Sequence, residues 1–227
     1  MDGANVPASA WRLLPGGWRV LLLDVVSENA LGLRVHLEAV RLPAGARLVV
    51  FDPANPKEAQ QMLPIAFDLS EKYQIPVILR PVLRVSHAQQ TVTFNPISEM
   101  KRKSHFPRNP QRWSATPRYR FLLHKQLNMK LQKIAEEFNS MSSLNFIEND
   151  REKAVFGIIA GGIGYAIARD ILLELGLQND IPILKIGTPF PFPTEIVEAF
   201  IGKCDHVLIL EETEPVIELQ IRDKSKI

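Results

Sequence analysis

With Cys204 its one cysteine in 227 residues, the chain can form no internal disulfide, no tetrahedral thiolate zinc site and no four-cysteine iron–sulfur cluster. Any such cluster would have to lie on another chain. Long apolar runs are missing too. The best one near the N-terminus, Val20 to Val26, is interrupted by Asp24, far short of the roughly 18 residues that cross a bilayer. The chain opens Met1-Asp2, without the basic stretch of a secretory signal. A soluble, cytoplasmic protein with no membrane contact is therefore expected. The five histidines, His36, His87, His105, His124 and His206, show no i, i+4 or metal-ligand spacing, so no metal site is expected. The composition, 46% hydrophobic and 23% charged, suffices to bury a core and does not match disorder.

Acidic residues are absent from one long stretch. Lys101 to Lys133 holds ten Lys or Arg and no Asp or Glu, leaving 17 basic against 25 acidic residues elsewhere. The overall charge of +2 thus hides a basic segment between two acidic regions. Pro107, Pro110 and Pro117 make its first part an irregular crossing, and a helical pattern starts near Tyr119. Trp113, Tyr119 and Phe121 are its apolar anchors. It is read as docking on the acidic regions or on a partner subunit, rather than on nucleic acid.

The stretch WRVLLLDVV, 18 to 26, reads as a buried strand. A second run, Leu48 to Phe51, ends at Asp52-Pro53, and Asn55-Pro56-Lys57-Glu58 supplies an N-cap, a proline in the first turn and a capping glutamate. The helix that follows places Ala59, Met62, Leu63, Ala66, Phe67 and Tyr73 on one face, with Pro64 in conflict. VILRPVLRV then reads as a strand interrupted by Pro81. A helix over roughly Arg118 to Phe138 carries the stripe Leu122, Leu123, Leu127, Leu131, Ile134, Ala135 and Phe138. From Ala154 the pattern is strand (AVFGIIA), glycine turn, helix, strand (IPILKIG), proline-rich loop, helix (TEIVEAFIGK), strand (HVLIL) and helix (PVIELQIRD). Alternation of this kind implies right-handed crossovers and a mainly parallel sheet covered by helices, the α/β class.

The glycine turn GGIGYA puts Gly161, Gly162 and Gly164 at a strand-to-helix junction, where helix amides face outward and a phosphate can bind. Counted from Gly162, the third position of a dinucleotide fingerprint falls on Ile167, and no P-loop lysine follows. The turn is read first as tight packing and second as an anion or partner contact. Glu211, Glu212 and Glu214 follow HVLIL at the carboxyl edge of the sheet, where a carboxylate pair could do acid–base work but equally favours the next helix. Ser86 and His87 are sequence neighbours at an expected strand end and would point to opposite faces, so Arg84 and His87 are taken as loop anchors or anion or partner contacts.

Four strings together resemble the 2-oxoacid:ferredoxin oxidoreductases, and among them the large subunits of the indolepyruvate enzymes. They are DPANPKEAQQMLPIAFDLSEKYQIPVILRPVLRVSH (52 to 87), FGIIAGGIGYAIARDIL (156 to 172), ILKIGTPFPFP (183 to 193) and VLILEETEPVIELQIR (207 to 222). Further upstream, SENALGLR (27 to 34) resembles a decayed form of a family loop in which Ser27, Asn29 and Arg34 match. The resemblance implies that residues 1–100 hold the later part of a pyrimidine-type thiamine-binding domain. Residues 101–149 then form a basic crossing segment and helix, and 150–227 a domain similar to the C-terminal domain of transketolase.

Thiamine diphosphate, magnesium and iron–sulfur clusters are implied for a complete enzyme of this family, with a homodimer or a partner subunit. This sequence has no Gly-Asp-Gly for a metal-bound diphosphate, and the resemblance implies that the family's aminopyrimidine glutamate belongs to an earlier part of the domain than the one matched here. Oxidative decarboxylation through thiamine needs the ylid, a cation-held diphosphate and an electron acceptor. The expectation is therefore a partial subunit that binds no cofactor alone and is catalytic only in a complete assembly. The alternative is a degenerate scaffold that binds a partner or an anionic ligand.

Overall fold

The computed structural model describes residues 11–14, 18–21, 48–94, 108–113 and 116–227. The chain divides into two compact units, 1–43 and 44–227. In the first, β1 (Trp11–Leu14) and β2 (Trp18–Leu21) pair antiparallel, with Trp11 opposite Leu21 and Leu14 opposite Trp18. The expected strand over 18 to 26 is thus seen across its first four residues, and the rest of it lies outside the described residues.

The second unit begins with β3 (Val49–Phe51), whose Val49 and Phe51 are fully buried, and continues into α1 (Pro56–Tyr73). The cap read from sequence forms: Asn55 Oδ1 accepts the Glu58 N–H at 3.0 Å, and Glu58 Oε2 accepts the Ala54 N–H at 2.6 Å. Pro64 does not break α1. It lies on the exposed side, where water can take the carbonyl its ring leaves without a donor. The buried face is Met62, Ala66 and Leu69, and Leu63 and Phe67, expected inside, are 48% and 65% exposed. β4 (Val77–Leu79) pairs parallel with β3, Val49 opposite Val77.

The strand expected through Val85 stops at Leu79. Pro81 cannot donate to a ladder, and Leu83–His87 coils into the short helix α2. Ser86 and His87 are therefore helix neighbours rather than strand neighbours. After α3 (Pro110–Trp113), α4 (Pro117–Ser140) buries Ile134 and Phe138 against β3 and α1, with Phe51 and Phe138 packed edge to face at 6.1 Å between ring centroids. Each such buried phenylalanine contributes about 1.5–3 kcal/mol.

A four-stranded sheet follows in the order β5-β7-β6-β8. β6 (Ala154–Gly161) runs parallel to β7 (Ile183–Ile186) and to β8 (Cys204–Leu210), while β5 (Asn145–Glu148) closes the edge antiparallel to β7. α5 (Gly162–Glu174) covers one face through Tyr165, Ala168 and Leu172, and α6 (Thr194–Lys203) the other through Val197, Phe200 and Ile201. The mainly parallel α/β class expected from the sequence is what forms. The last expected helix is absent: only a 3-10 turn, Glu218–Gln220, appears.

The two sheets of this unit meet at the carboxyl ends of their strands. The Asp52 N–H donates to the Gly187 carbonyl at 2.8 Å, Val50 N–H to Phe190 at 2.7 Å, and Gly187 N–H to Leu144 at 3.0 Å. Gly187 has no room for a side chain, since a Cβ there would stand 2.5 Å from the Leu144 oxygen.

Candidate functional site

Parallel strands gather their carboxyl ends on one edge, and the residues that follow them become neighbours. Here Asp52 follows β3, Arg80 follows β4, Gly162 follows β6 and Glu211 follows β8, and Lys185 lies near the end of β7. Asp52 is 3% exposed, and an Arg80 guanidinium nitrogen donates to its Oδ2 at 3.1 Å. Burial holds the Asp52 carboxyl above the usual carboxylate range, with Arg80 opposing that shift. Its Oδ1 is buried and accepts no hydrogen bond from the protein.

Lys185 is fully buried in a central strand and ion-paired with Glu58 in the first turn of α1. Its ammonium stands 5.7 Å from the ring centroids of both Phe146 and Tyr165. Burial pushes it down to about 7, against the pull of Asp52. Tyr165, buried beneath it, donates to Glu148 Oε1 at 2.7 Å, and burial together with that bond raises its hydroxyl pKa.

The glycine turn fits against this cluster. Gly162 has φ +46°, and a Cβ on it would stand 2.8 Å from Asp52 Oδ1. At Gly161 a Cβ would meet Ile217 Cδ1 at 2.8 Å, and at Gly164 the Leu210 carbonyl at 2.8 Å. The three glycines are thus close-packing positions, and the start of α5 already faces a carboxylate of the same chain. Two surface clefts, of about 290 and 450 Å³, are lined by other residues.

Beside the cluster, Asn145 is buried and bonds in several directions. Its amide donates to Phe138 O at 3.0 Å and Thr188 Oγ1 at 2.8 Å, and its Oδ1 accepts the Gly187 N–H at 3.0 Å. This ties the end of α4 to the end of β7. Glu211 accepts the N–H groups of Ile217 at 2.7 Å and Glu218 at 3.0 Å, holding the 3-10 turn. Arg84, 70% exposed on α2, pairs with Glu212 at 3.3 Å, and His87 lies exposed at the end of the same helix. Gly161 and Gly162 therefore meet Asp52, Gly164 meets β8, and Arg84 meets Glu212. Ser27, Asn29 and Arg34 lie outside the described residues.

Asp52, Glu58, Arg80 and Lys185 do not stand out in the sequence as a group. The one signal for them is Lys185 itself, a lysine inside the apolar run IPILKIG, since a strand covered on both faces leaves it no solvent. Two basic and two acidic side chains meet at this cluster, away from both surface clefts. Such a set can fix the junction of the two sheets. It does not fit thiamine diphosphate, because an anionic diphosphate would have to displace the Asp52 carboxylate and would find Ile217 and the Leu210 carbonyl in its place. Among the described residues no three His, Cys, Asp or Glu side chains converge on a metal position. Cys204 is buried, and burial raises its thiol pKa.

Comparison with known proteins places these features. The chain is 41% identical over 182 residues to the indolepyruvate oxidoreductase subunit IorA of Pyrococcus abyssi, covering 78% of this chain and 28% of that protein. It is 37% identical over 234 residues to the subunit of the same name from Thermococcus kodakarensis, covering 97% of this chain and 35% of the relative. The chain thus spans about a third of the length of these relatives. A solved 2-oxoglutarate:ferredoxin oxidoreductase from Magnetococcus marinus, with 2-oxoglutarate, coenzyme A and succinyl-CoA bound, shares the fold over 73% of this chain and 35% of its own, with TM-score 0.51 and 16% identity. A family model described as the lysyl endopeptidase N-terminal domain matches residues 3–69, under half of the chain.

Proposed function

From a chain that is a partial member of the 2-oxoacid:ferredoxin oxidoreductase family, related over most of its length to IorA subunits, we propose a portion of the large subunit of an enzyme that oxidatively decarboxylates a 2-oxoacid, indolepyruvate foremost, to an acyl-CoA. The observation that carries this reading is the 41% identity over 182 residues. In it, residues 1–100 descend from the pyrimidine-type thiamine domain, 101–149 from the basic crossing and 150–227 from the transketolase C-terminal-like domain. The chain contributes scaffold: the buried ion set and the Asn145 bonds fix the two sheets to each other, while cofactor contacts come from the parts of the enzyme that this chain does not span. The assembly is cytoplasmic. No helix among the described residues is long and apolar enough to cross a membrane.

One observation favours a second reading, a scaffold without redox chemistry. The anion position at the start of α5 is closed by Asp52, Ile217 and the Leu210 carbonyl. Reconstitution separates the two. This chain is mixed with a polypeptide carrying the remaining domains, and indolepyruvate, coenzyme A, thiamine diphosphate, magnesium and an artificial electron acceptor are added. Acceptor reduction that needs both chains supports the subunit reading, and a stable complex without reduction supports the scaffold. Calorimetry on this chain alone, with thiamine diphosphate and magnesium, should show no heat of binding. Micromolar binding would overturn the assignment of the cofactor contacts to other parts of the enzyme.

A further inference from the structure

The cleft of about 450 Å³ lies at the amino edge of the parallel strands, and none of the buried ion set lines it. Three segments wall it: the end of β5, the last turns of α5 and the loop from α5 to β7. Glu148, the last residue of β5, stands opposite Ile183, the first of β7. Hydrogen bonds within the loop fix its course. Gly176 has φ +70°, the Leu177 N–H donates to the Leu172 carbonyl at 2.8 Å and the Gly176 N–H to that of Leu173 at 3.2 Å, which is the Schellman arrangement that closes a helix. The Asp180 N–H then turns back to the Leu177 carbonyl at 2.9 Å. Gln178 and Asn179 are thereby held at the cleft.

Ion pairing at the cleft leaves one carboxylate over. Arg169 stands 3.5 Å from Glu148 Oε2, and the other Glu148 oxygen accepts the Tyr165 hydroxyl. Arg151 stands 3.7 Å from Asp180 and also donates to the Asn179 carbonyl. Asp170, exposed on α5, has no ion pair among the described residues. Gln178 Oε1 is buried and meets no donor in the protein, and such an unmet acceptor costs free energy until a donor reaches it. Its amide turns on a soft terminal torsion, so a donor in the cleft can satisfy it. Asn149 spends its amide N–H on the Gln178 carbonyl, which leaves its own oxygen as a further acceptor. To these α5 adds the negative end of its dipole, with no basic residue in its last turn to offset it. The unmet groups are thus acceptors or negative, and Leu172, Leu173 and Ile183 give the cleft an apolar wall.

We propose that this cleft binds a small aliphatic ammonium ion, with its N–H groups on Asp170 and Gln178 Oε1 and its hydrocarbon part along Leu173. A protonated primary amine supplies the two things the cleft lacks, a positive charge and several N–H donors in one compact group. An anion would meet Asp170 and the negative end of α5. A divalent cation would need a richer donor set, and among the described residues no three His, Cys, Asp or Glu side chains converge. The need of Gln178 for a donor also separates this site from one that selects charge alone. The site does not rest on the chain having catalytic activity.

Titration of the isotope-labelled full chain with n-butylammonium chloride, followed by amide NMR at an ionic strength held constant with sodium chloride, tests it. Shifts are expected at Asn149, Asp170 and Asn179, saturating with a dissociation constant in the millimolar range that so few atoms allow. Tetramethylammonium carries the charge without the donors, and n-butanol the chain without the charge; each should bind at least about fivefold more weakly. Asp170→Asn, at an exposed position, should weaken n-butylammonium about tenfold, and Gln178→Leu about fivefold. The amide resonances away from the cleft report that each variant is folded. An absence of saturable shifts, tetramethylammonium or n-butanol binding as well as the amine, or either variant binding as tightly as wild type overturns the proposal. Calcium ions that saturate the same shifts more tightly than the amine would overturn it in favour of a metal site.

Discussion

Lys185 and Glu58 are paired across the junction of the two sheets of the second unit, one from the middle of a four-stranded sheet and the other from the first turn of α1. Glu58 also accepts the Ala54 N–H at 2.6 Å. A single, partly exposed carboxylate thus holds a helix start and a fully buried lysine together.

That relationship gives the fold a pH dependence. Lys185 is pushed down to about 7 in the folded chain by burial, from an ordinary value of 10.5. Between these values the unfolded chain holds a proton that the folded chain has released, so stability rises with pH in that window and flattens below about 7. Urea unfolding at several pH values from 7.5 to 9.5 should show wild-type stability increasing by about 1 kcal/mol per pH unit more than that of Lys185→Met. Equal slopes for the two proteins would contradict the assignment.

Gly162 and Gly202 should respond in opposite directions to the same substitution. Gly162→Ala places a methyl 2.8 Å from the buried Asp52 carboxylate in a left-handed backbone conformation, and a loss of about 2–3 kcal/mol is expected. Gly202 lies inside α6, and a Cβ added there would have nothing within 4 Å. It should tolerate alanine or gain up to about 1 kcal/mol. Thermal unfolding of the two variants side by side checks this contrast.

Asn145→Ala leaves the Thr188 hydroxyl and the Phe138 carbonyl without their Asn145 partner, while the Gly187 N–H keeps its bond to the Leu144 carbonyl. The bonds lost are 2.8 and 3.0 Å long, in a site that is 1% exposed. A destabilisation of about 2–4 kcal/mol is expected from denaturant unfolding. By contrast, Lys72→Ala removes a pair with Glu137 whose lysine is 58% exposed, and should cost much less than Asn145→Ala in the same measurement.

What is legible in the sequence follows local rules. The strands AVFGIIA, IPILKIG and HVLIL announce themselves by β-branched and leucine content, and Asn55-Pro56-Glu58 announces α1, because a cap is satisfied within four residues. Leu83–His87 reads as strand but forms a helix, since its apolar content suits either state and the proline before it decides the outcome. PVIELQIRD reads as a helix, yet Glu211, from outside the segment, holds its amides in a 3-10 turn. The strand Asn145–Glu148 gives no signal because its four residues show no alternation, and pairing with β7 is what extends it. The ion cluster is hidden for a related reason. Asp52, Arg80, Glu58 and Lys185 belong to four elements, and only the packing of strand ends brings them within reach.

The packing of Cys204 against Gly157, where a Cβ would stand 2.5 Å from its sulfur, has a practical side. The chain's one thiol is buried and its pKa is raised by that burial, so it resists alkylation while the fold holds. A reactive cysteine introduced by Phe67→Cys would then be the single labelled position under native conditions. A spin label there would report on the exposed side of α1 without any need to remove the native sulfur.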